Sequence, residues 1–493
     1  MTGMAASAEG TGRIGAAVRD EVRRIIFGDN ANAAIDTELA AATEVDRAHV
    51  VMLFRRGILE AGAAAALLEE ITALRGTGFA ALRDRPAPRG LFLLYENHLI
   101  GTLGSPIGGN LHVGRSRNDL NATVLRLRIR PAYERLMSEL LTLIDTVIER
   151  AATFSDVVMP AYTHGQPAVP ITFGHYLAGV ASALLRDAAW LEAAAEDLDC
   201  SPLGAGAVGG TTVPIDPEIT AELLGFTRVA GNSVDAVASR DVVVRILGAA
   251  SVLGITLSRP ASDLFVWLTD EFRLLHLPDH LVGSSSMMPQ KRNPYLLEHV
   301  KGRSASAAGA FLAATMAMHA TPFTNSVAVG TEGVTRFWSG VSDTTDAIVL
   351  LRSVLAEIEP DRAVMARRVS EGFTTATAYA EELARQGVMP FREAHHAVGE
   401  AVNDAIARGA RLDEVMAERF GILAAEDMRY GGAAGTDAVP DLRRHGAGLA
   451  RRLRERRTRW ETASIALDRA DKGVRDLAAS GPANGPANAL ANG

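Results

Sequence analysis

A segment at residues 283–294 holds the side chains whose types and spacing are best suited to chemistry. It reads GSSSMMPQKRNP and places two candidate hydroxyls, Ser285 and Ser286, shortly before Lys291 and Asn293. A serine hydroxyl is a poor base unless its anion is stabilised, and a nearby ammonium group and free backbone N–H groups can stabilise it. The Gly- and Ser-rich composition predicts a flexible loop. The pattern therefore indicates a loop whose serine could act as a base.

A short polar run, YTHGQP, offers a second candidate group at Thr163, His164 and Gln166. Its histidine could relay protons or orient a substrate oxygen, although a lone histidine is more often structural. Glu298 lies about one helical turn beyond Pro294, and a carboxylate there could hold a histidine ring and raise its basicity. The alternative for Glu298 is a favourable acid in the first turn of a helix.

An arginine–asparagine pair precedes the first long apolar pattern, within the run GGNLHVGRSRND. Arg117 and Asn118 could offer a bidentate fork and an amide to a carboxylate, with the N–H groups of a helix start behind them. The alternative is a helix capped by Asp119 with solvated arginines. Further along, Arg240 is either a carboxylate clamp or a surface ion-pair partner. The Gly-rich run 201–216 lacks the Lys-Ser/Thr of a phosphate-binding loop, which leaves backbone approach to an anionic substrate.

Two other clusters do not favour metal or nucleic-acid chemistry. His395 and His396 are adjacent, so their side chains leave different faces of a helix, and no third ligand is near them in the sequence. Eight arginines fall within residues 443–459, but Glu455 lies among them, Asp441 just precedes them, and the net charge of the chain is −8. This balance favours a solvated helix over a nucleic-acid surface.

Long helices are the elements that would position these groups, because apolar residues recur at every third or fourth position. Gly-rich segments interrupt the helices and carry the candidate chemistry, which is typical of active sites built from loops at bundle ends. Helices that are apolar on such broad faces cannot all be covered within one chain, so the pattern predicts a bundle between subunits. The predicted helices cover residues 119–150 with a kink at Pro131, 171–199, 234–269, a stretch that starts at Pro294, and 341–368.

Composition favours a mainly helical, cytoplasmic protein. The 493 residues are 48% hydrophobic but 5% aromatic, a balance that favours aliphatic helices over sheets. A single cysteine, Cys200, excludes an internal disulfide and fits a reducing compartment. The sequence offers no apolar run long enough to span a bilayer and no signal-peptide pattern at its start. The first dozen residues and the Gly/Pro/Ala/Asn tail at 479–493 are predicted to be disordered.

Taken together, these segments resemble the argininosuccinate lyase family of the fumarase/aspartase superfamily. The signature loop of that superfamily reads G-S-S-x-M-P-x-K-x-N, and the segment at 283–294 is similar to it. Further matching runs occur in the family's order, and they are GGNLHVGRSRND, MPAYTHGQPAVPITFGHYLAG, SPLGAGAVGGTTVPID, NSVDAVASRD and PFREAHHAVGEAV.

The resemblance implies a mainly α, three-domain subunit with a central bundle of long helices, in a homotetramer whose active sites each draw on three chains. We place an N-terminal helical domain at 1–118, the central long-helix bundle at 119–370 and a C-terminal helical domain at 371–478. It also implies a lyase that releases fumarate from an N-substituted L-aspartate by anti β-elimination, or adds an amine to fumarate in the reverse direction. Such an enzyme needs a small-molecule substrate but no cofactor and no metal.

The resemblance also assigns roles to the candidate residues. Ser285 would be the base, with Ser286 as the reserve candidate, and Lys291 would polarise the carboxylate beside the acidic carbon. His164 and Glu298 would form a proton-relay pair. The residues implied to bind the substrate are Ser116, Arg117, Asn118, Thr163, Gln166, Arg240, Ser286 and Asn293.

The part of the pattern that handles the amine departs from the family. Argininosuccinate lyases carry a Tyr and then a Gln-Glu-Asp-Lys run after the helix that follows the loop, whereas residues 321–332 here read TPFTNSVAVGTE. The family's N-terminal Trp-Gly-Gly-Arg-Phe start is also absent, and Asp46 stands near the place of a Ser before an Ala-His pair. We therefore expect a leaving amine other than arginine, as in relatives such as ethylenediamine-disuccinate lyase. The alternatives are a true argininosuccinate lyase of arginine biosynthesis and a catalytically silent structural homologue.

Overall fold

The computed structural model shows a mainly helical chain, as the sequence predicts. The first dozen residues and residues 481–493, which are predicted to be disordered, fall outside the described part of the chain. The predicted tail at 479–493 starts too early, because Ala479 is the last residue of the helix at Val439–Ala479 and Ser480 is its cap. The described ranges are 18–27, 32–87, 89–423, 428–434 and 437–480.

The described residues before Arg117 are mainly helical, and their apolar core also takes in side chains from later parts of the chain, such as Leu224 and Leu467. Fully buried side chains such as Ile35, Leu53, Leu68 and Leu99 meet in this core. The helices are α1 (Asp20–Phe27), α2 (Asn32–Ala34), α3 (Ala40–Arg55), α4 (Ala61–Gly76), α5 (Leu91–Leu103) and α6 (Ser105–Gly108), with a π-helical turn at Ile35–Leu39.

A helix of 37 residues, α7 (Arg117–Thr153), opens the central bundle. A capping box fixes its first turn: the Ser116 hydroxyl accepts from the Asn118 N–H at 3.3 Å, and the Asp119 carboxylate accepts from the Ser116 N–H at 2.9 Å. The first predicted long helix is therefore confirmed. It continues through Pro131, where the kink stays a prediction.

An antiparallel hairpin joins α7 to the second bundle helix. Its strands are β1 (Val158–Thr163) and β2 (Gln166–Thr172), and α8 (Phe173–Ala194) follows at once. The helix predicted at 171–199 is thus shorter at both ends. The hairpin takes its first residues, and a 3₁₀ turn at Glu196–Asp199 takes its last.

Short elements then lead to the third bundle helix, and the two strands among them pair in parallel. In chain order they are β3 (Cys200–Ser201), α9 (Pro217–Leu223), β4 (Arg228–Val229), α10 (Ser233–Ala238) and the bundle helix α11 (Asp241–Trp267).

The single helix predicted at 234–269 is wrong, because the chain leaves helical geometry between α10 and α11. There the Arg240 guanidinium turns back and donates to the carbonyls of Val237 at 3.1 Å and Ser239 at 2.8 Å. By length and apolarity α11 could also span a membrane, contrary to the sequence expectation, but half of its most apolar window is buried inside the protein. Its buried side chains, such as Ile246, Leu253 and Leu264, belong to the core of the bundle.

The remaining bundle helices follow, together with a small antiparallel pair of strands. In chain order the elements are β5 (Leu275–His276), α12 (Tyr295–Ser304), α13 (Ser306–Met318), α14 (Val327–Gly330), α15 (Phe337–Glu357), β6 (Glu359–Pro360) and α16 (Arg362–Glu371), with 3₁₀ turns at Asp279–Leu281 and Glu332–Val334.

Two further helix predictions need correction. Pro294 precedes the first turn of α12 as its N-cap residue and is not part of that turn. The helix predicted at 341–368 is broken after α15, because β6 pairs there with β5. Asp361 then starts α16 by accepting from the Val364 N–H at 3.0 Å.

The C-terminal part contains a small helical unit and one long returning helix. Leu383, Val415 and Met416 are buried in a core of the small unit that is separate from the bundle core. The three-domain division of the chain stays a prediction. The helices are α17 (Ala376–Arg385), α18 (Phe391–Arg408), α19 (Leu412–Phe420) and α20 (Val439–Ala479).

The arginine-rich segment lies on α20, and the expectation of a solvated helix is wrong for the side that faces the bundle. Arg456 is buried, and it donates to the Asp199 carboxylate at 3.0 Å and to the Tyr133 hydroxyl at 3.0 Å. Arg459 donates to the same carboxylate at 2.7 Å. These arginines attach α20 to the bundle, so they are not a free basic surface.

The bundle helices alternate in direction, which gives the bundle two chemically different ends. Tyr176 at the start of α8 donates to Asp263 near the end of α11 at 2.8 Å, and Arg150 near the end of α7 bonds to Glu359 just beyond α15 at 2.7 Å. Helices α7, α11 and α15 therefore run one way, and α8, α12 and α13 run the other. We call the end where α7 starts the upper end; the hairpin β1–β2 and the segment at 283–294 lie at the lower end.

Candidate active site

At the upper end, the first residues of α7 present an arginine and a fixed amide. Arg117 pairs with Glu96 at 3.3 Å and keeps 42% of its side chain exposed. The Asn118 Nδ2 donates to the Ala207 carbonyl at 2.9 Å. The Ser116 hydroxyl lines the same turn as the helix cap. A guanidinium, an amide and the N–H groups of a helix start together suit a carboxylate ligand.

Asp119 fastens the Gly-rich loop to this helix start. Its carboxylate has no exposed surface and accepts from the N–H groups of Gly204 at 3.1 Å and Gly206 at 2.9 Å, as well as from Ser116. Burial raises the pKa of Asp119, and the three N–H groups oppose that rise. The cap predicted as an alternative for Asp119 is therefore real, and it positions Arg117 and Asn118 rather than competing with their role.

A buried polar cluster supports the same turn from beneath. Asp46 forms an ion pair with Arg115, and both side chains are almost fully buried. The His49 Nε2 donates to the Val113 carbonyl at 2.9 Å. Burial and the nearby Arg115 guanidinium hold the pKa of His49 well below its usual range and lower that of His112 to about 3, so both rings are neutral. The sequence signal was a charged residue and a histidine within the apolar pattern of α3.

Arg240 also lies at the upper end, and the alternative that placed it on the surface is wrong. Only 1% of the residue is exposed. Burial, with the nearby Arg126, lowers the pKa of Arg240 to about 10, so it stays a cation at neutral pH. It offers positive charge beside the start of α11.

Sequence reasoning left the role of Asn325 open, and the structure places it at this end. Its Nδ2 donates to the Asn118 Oδ1 at 2.9 Å. The two residues are far apart in the chain, and no local pattern could have paired them. Phe323, the other residue whose role was left open, is 71% exposed two residues earlier.

At the lower end, the tip of the hairpin carries the candidate histidine. Thr163 pairs with Gln166 across a two-residue turn in which His164 has φ 55° and Gly165 has φ 75°. Two positive φ angles fit the turn type that matches the twist of a hairpin. All four residues of this tip, 163–166, are exposed. The turn therefore holds His164 outward, where another chain can reach it.

The segment at 283–294 forms a closed loop beside the start of α12. Gly283 and Asn293 exchange two backbone hydrogen bonds of 2.8 Å at its base. Within the loop, the Ser285 Oγ accepts from the N–H groups of Met288 at 3.1 Å and Met287 at 3.4 Å. Such donors are the groups that stabilise a serine anion.

The remaining lower-end candidates are exposed. Ser286 and Lys291 are exposed in the loop, and Glu298 is exposed in the first turn of α12. Within the described residues, His164 makes no hydrogen bond or ion pair with Glu298. The proton-relay pair is therefore not formed inside one chain.

One chain thus divides the predicted site residues between two ends of the bundle. The 27 residues of α11 alone separate the ends by about 40 Å. Ser116, Arg117, Asn118 and Arg240 lie at the upper end, and Thr163, His164, Gln166, Ser285, Ser286, Lys291, Asn293 and Glu298 lie at the lower end.

Comparison with known proteins shows the family of the chain. Residues 96–309 match the family model described as lyase, and residues 373–429 match the model described as the C-terminal part of argininosuccinate lyase. Argininosuccinate lyase 1 of Shouchella clausii is 34% identical over 82% of this chain and 82% of its own length. Argininosuccinate lyase of Methanoculleus marisnigri is 38% identical over 73% of each chain. The chain belongs to the argininosuccinate lyase family. It is a carbon–nitrogen lyase.

Solved structures extend the comparison to the whole fold. EDDS lyase in complex with formate superimposes with a TM-score of 0.80 and 26% identity, over 95% of this chain and 98% of that one. A class II fumarase from Schistosoma mansoni, 17% identical, shares the fold with a TM-score of 0.66. The predicted fumarase/aspartase-type architecture is confirmed.

The family models match the candidate site residues but not the divergent segment at 321–332. The lyase model covers the site residues of both ends, whereas the divergent segment at 321–332 lies between the two matched ranges. His395 and His396 are exposed on α18, and no group of three or more His, Cys, Asp or Glu in the described ranges is placed to hold a metal ion.

Proposed function

We propose that this lyase releases fumarate from an N-substituted L-aspartate by anti β-elimination, or adds the amine to fumarate in the reverse direction. The observation that carries the proposal is the division of the site. Groups suited to bind a carboxylate lie at the upper end, and the loop that carries the proposed base lies at the lower end. Copies of the chain that pack side by side in antiparallel orientation would bring the upper end of one copy next to the lower end of another.

Ser285 is the base in this proposal. Its hydroxyl already accepts from the Met287 and Met288 N–H groups, which would stabilise the alkoxide. Within the described residues, no backbone N–H group donates to the hydroxyl of Ser286, the reserve candidate. Lys291 and Asn293 in the same loop would bind the substrate carboxylate and stabilise the charge that develops on it when the Cβ proton leaves.

The elimination needs no reactant other than the substrate and these side chains. Ser285 takes the Cβ proton, the electron pair forms the double bond of fumarate, and the C–N bond breaks. The amine leaves with a proton from His164, whose imidazole Glu298 of another chain would orient, or from water. Arg117, Asn118, Thr163 and Gln166 would hold the two carboxylates of the succinyl group, and Arg240 would add positive charge.

The active assembly in this proposal is a homotetramer with shared sites, in the cytoplasm. Large apolar side chains on α11 and α13 lie exposed on the single chain, with Ile255 at 61%, Leu312 at 60% and Met316 at 63%. Such surfaces on long helices usually pack against helices of another subunit. The nucleic-acid alternative loses support, because six of the eight arginines at 443–459 form ion pairs within the chain.

The segment at 321–332 bears on the identity of the leaving amine. Residues 321–330 contain no charged side chain, and Glu332 follows only after Thr331. A guanidinium bound there would lack a nearby ion-pair partner from this segment, which costs free energy on burial. This favours an amine other than arginine. True argininosuccinate lyase activity is the second candidate, because the curated relatives carry that name.

The test is a spectrophotometric assay for fumarate with the purified protein and argininosuccinate, followed by fumarate with a panel of amines and diamines. We expect no turnover with argininosuccinate and consumption of fumarate with at least one amine. Ser285→Ala is the inactive control, and Ser286→Ala is its matched neighbour. Turnover of argininosuccinate would contradict the rewritten amine pocket, and inactivity with every substrate would favour the silent homologue.

A further inference from the structure

Asn118 has its polarity fixed by its two neighbours. The Ala207 carbonyl can only accept a hydrogen bond, so the Asn118 group that faces it at 2.9 Å must be the NH₂ group. The Asn118 oxygen therefore faces Asn325, whose NH₂ group donates to it at 2.9 Å. Chemistry thus settles both amide orientations without reference to the positions of hydrogens.

This pairing leaves a defined part of Asn118 free for a ligand. An amide carries two donor hydrogens and two acceptor lone pairs, and one of each is used by Ala207 and Asn325. The second hydrogen of the Asn118 Nδ2 remains to bind a substrate carboxylate. If Asn118 were flipped, its oxygen would face the Ala207 carbonyl, and its outward group would repel a carboxylate.

Asn325 also lies near Arg240, the cation of the same end. A Cβ built on Gly330 would lie 3.6 Å from the Asn325 Oδ1 and 3.8 Å from the Arg240 Nη2, so the two groups flank the space left by this glycine. Asn325 therefore lies near the residue that precedes α11 as well as at the start of α7, and its contact with Asn118 is the one that fixes its amide.

We propose that Asn325 is a positioning residue that fixes the Asn118 amide in the orientation required to bind a substrate carboxylate. The proposal rests on the proposed function, because it concerns the same site. It gives Asn325, in the divergent segment at 321–332, a role in carboxylate binding that does not depend on which amine leaves. Asn325 acts through Asn118, so its loss should have no effect once Asn118 has been removed.

A double-mutant cycle on fumarate binding tests this role. Dissociation constants are measured by isothermal titration calorimetry with fumarate alone, for the assembled wild-type protein and for Asn118→Ala, Asn325→Ala and the double variant. We expect increases of about 10-fold for Asn118→Ala and about 5-fold for Asn325→Ala, and about 10-fold for the double variant, since residues that act as one unit are not additive.

Asn325→Asp gives a readout that a merely structural role would not produce. Aspartate has the size of asparagine but offers only acceptors, so it opposes the Asn118 oxygen and favours the flipped amide. We expect Asn325→Asp to weaken fumarate binding more than Asn325→Ala does. Ser326→Ala is the matched control, because it removes the cap of α14 in the same segment without touching Asn118; binding should stay within about twofold, as for a lost exposed cap.

Three results would overturn the proposal. They are multiplicative effects of the two alanine variants, an Asn325→Asp protein that binds better than Asn325→Ala, and Asn118→Ala binding like wild type. Thermal unfolding of each variant separates these outcomes from a folding defect. Absence of fumarate binding by the wild-type protein would overturn the proposed function as well, which distinguishes the two failures.

Discussion

The two ends of the bundle differ in how completely one chain builds them. At the upper end, Asp119, Asp46 and Asn325 tie the start of α7 to a Gly-rich loop, a buried helix and a distant segment. At the lower end, His164 is at an exposed hairpin tip and Ser285 is in an exposed loop closed by two backbone bonds.

This contrast separates recognition from chemistry. The groups suited to hold carboxylates are preorganised within the subunit, where buried contacts fix their geometry. The groups suited to move protons are held outward on short elements, within reach of a neighbouring chain. Under the proposed function, such a site would be inactive in a lone subunit and would acquire its full set of groups on assembly.

The largest effect should come from the lower end. Ser285→Ala removes the proposed base, and we expect kcat to fall by about 10³-fold or more, within the range found when a catalytic base or nucleophile is lost. Initial rates with the best amine and fumarate measure it. Ser286→Ala should stay within about tenfold of wild type. The reverse ranking would move the base to Ser286 and leave the loop assignment otherwise intact.

A large effect on stability should come from the upper end. Asp119→Ala leaves buried N–H groups of Ser116, Gly204 and Gly206 without their acceptor, and we expect a loss of about 3 kcal/mol in the free energy of unfolding. Urea unfolding at one protein concentration measures it.

Asp216 provides the matched control for that variant. It caps α9 through one bond of 3.2 Å to the Glu218 N–H in an exposed position. Asp216→Ala should cost about 1 kcal/mol or less. Equal losses for the two variants would contradict the view that the upper end is held from within.

His112, one of the two neutral histidines of the upper end, predicts that stability depends on pH. His112 has its pKa lowered to about 3 in the folded chain, and its ordinary value is 6.5. The unfolded chain therefore binds a proton that the folded chain refuses, so stability is full above pH 6.5 and falls as the pH drops toward 3, by at most about 1.4 kcal/mol per pH unit. Urea unfolding of wild type and His112→Gln between pH 8 and pH 5 measures the difference. Equal acid slopes would show that His112 is not held neutral.

The smallest effect should come from the hairpin tip. Gly165 has φ 75° with open space around its missing Cβ, so Gly165→Ala introduces only backbone strain. We expect a loss of about 1 kcal/mol in stability, as for an alanine in left-handed geometry. Gly209→Ala, at another open position but without a positive φ, is the control and should be near neutral. A neutral Gly165→Ala would mean that the tip does not need its two-residue turn.

Local signals allowed much of the fold to be predicted from the sequence. The start of α7 was predictable because Ser116 and Asp119 form a cap within four residues and apolar spacing continues behind them. The break before α11 was not, because it depends on how the Arg240 side chain folds back. The end of α15 was not either, because β6 is set by pairing with β5, more than 80 residues earlier.

The same distinction holds for the site. The loop at 283–294 and the Arg117–Asn118 pair were visible because their residues are contiguous. Asn325 became visible only through a contact with Asn118 across 207 positions of the chain. The separation of the two residue sets was also hidden from the sequence, since it follows from the direction of each helix in the bundle.

The most direct test of the divided site is to mix two variants that are each inactive. Arg117→Ala damages the upper end, and Ser285→Ala damages the lower end. When the two proteins are unfolded together and refolded, a site that takes its ends from different chains is intact with a chance of one half for each end. Recovery of about a quarter of wild-type activity is therefore expected from random symmetric assembly.

The control mixture combines Ser285→Ala with Lys291→Ala, which share one loop, so no site can receive an intact loop and no activity should return. Refolded wild type sets the full scale. Recovery near a quarter in the first mixture alone is the result that the divided site predicts. An inactive first mixture beside fully recovered wild type would contradict it.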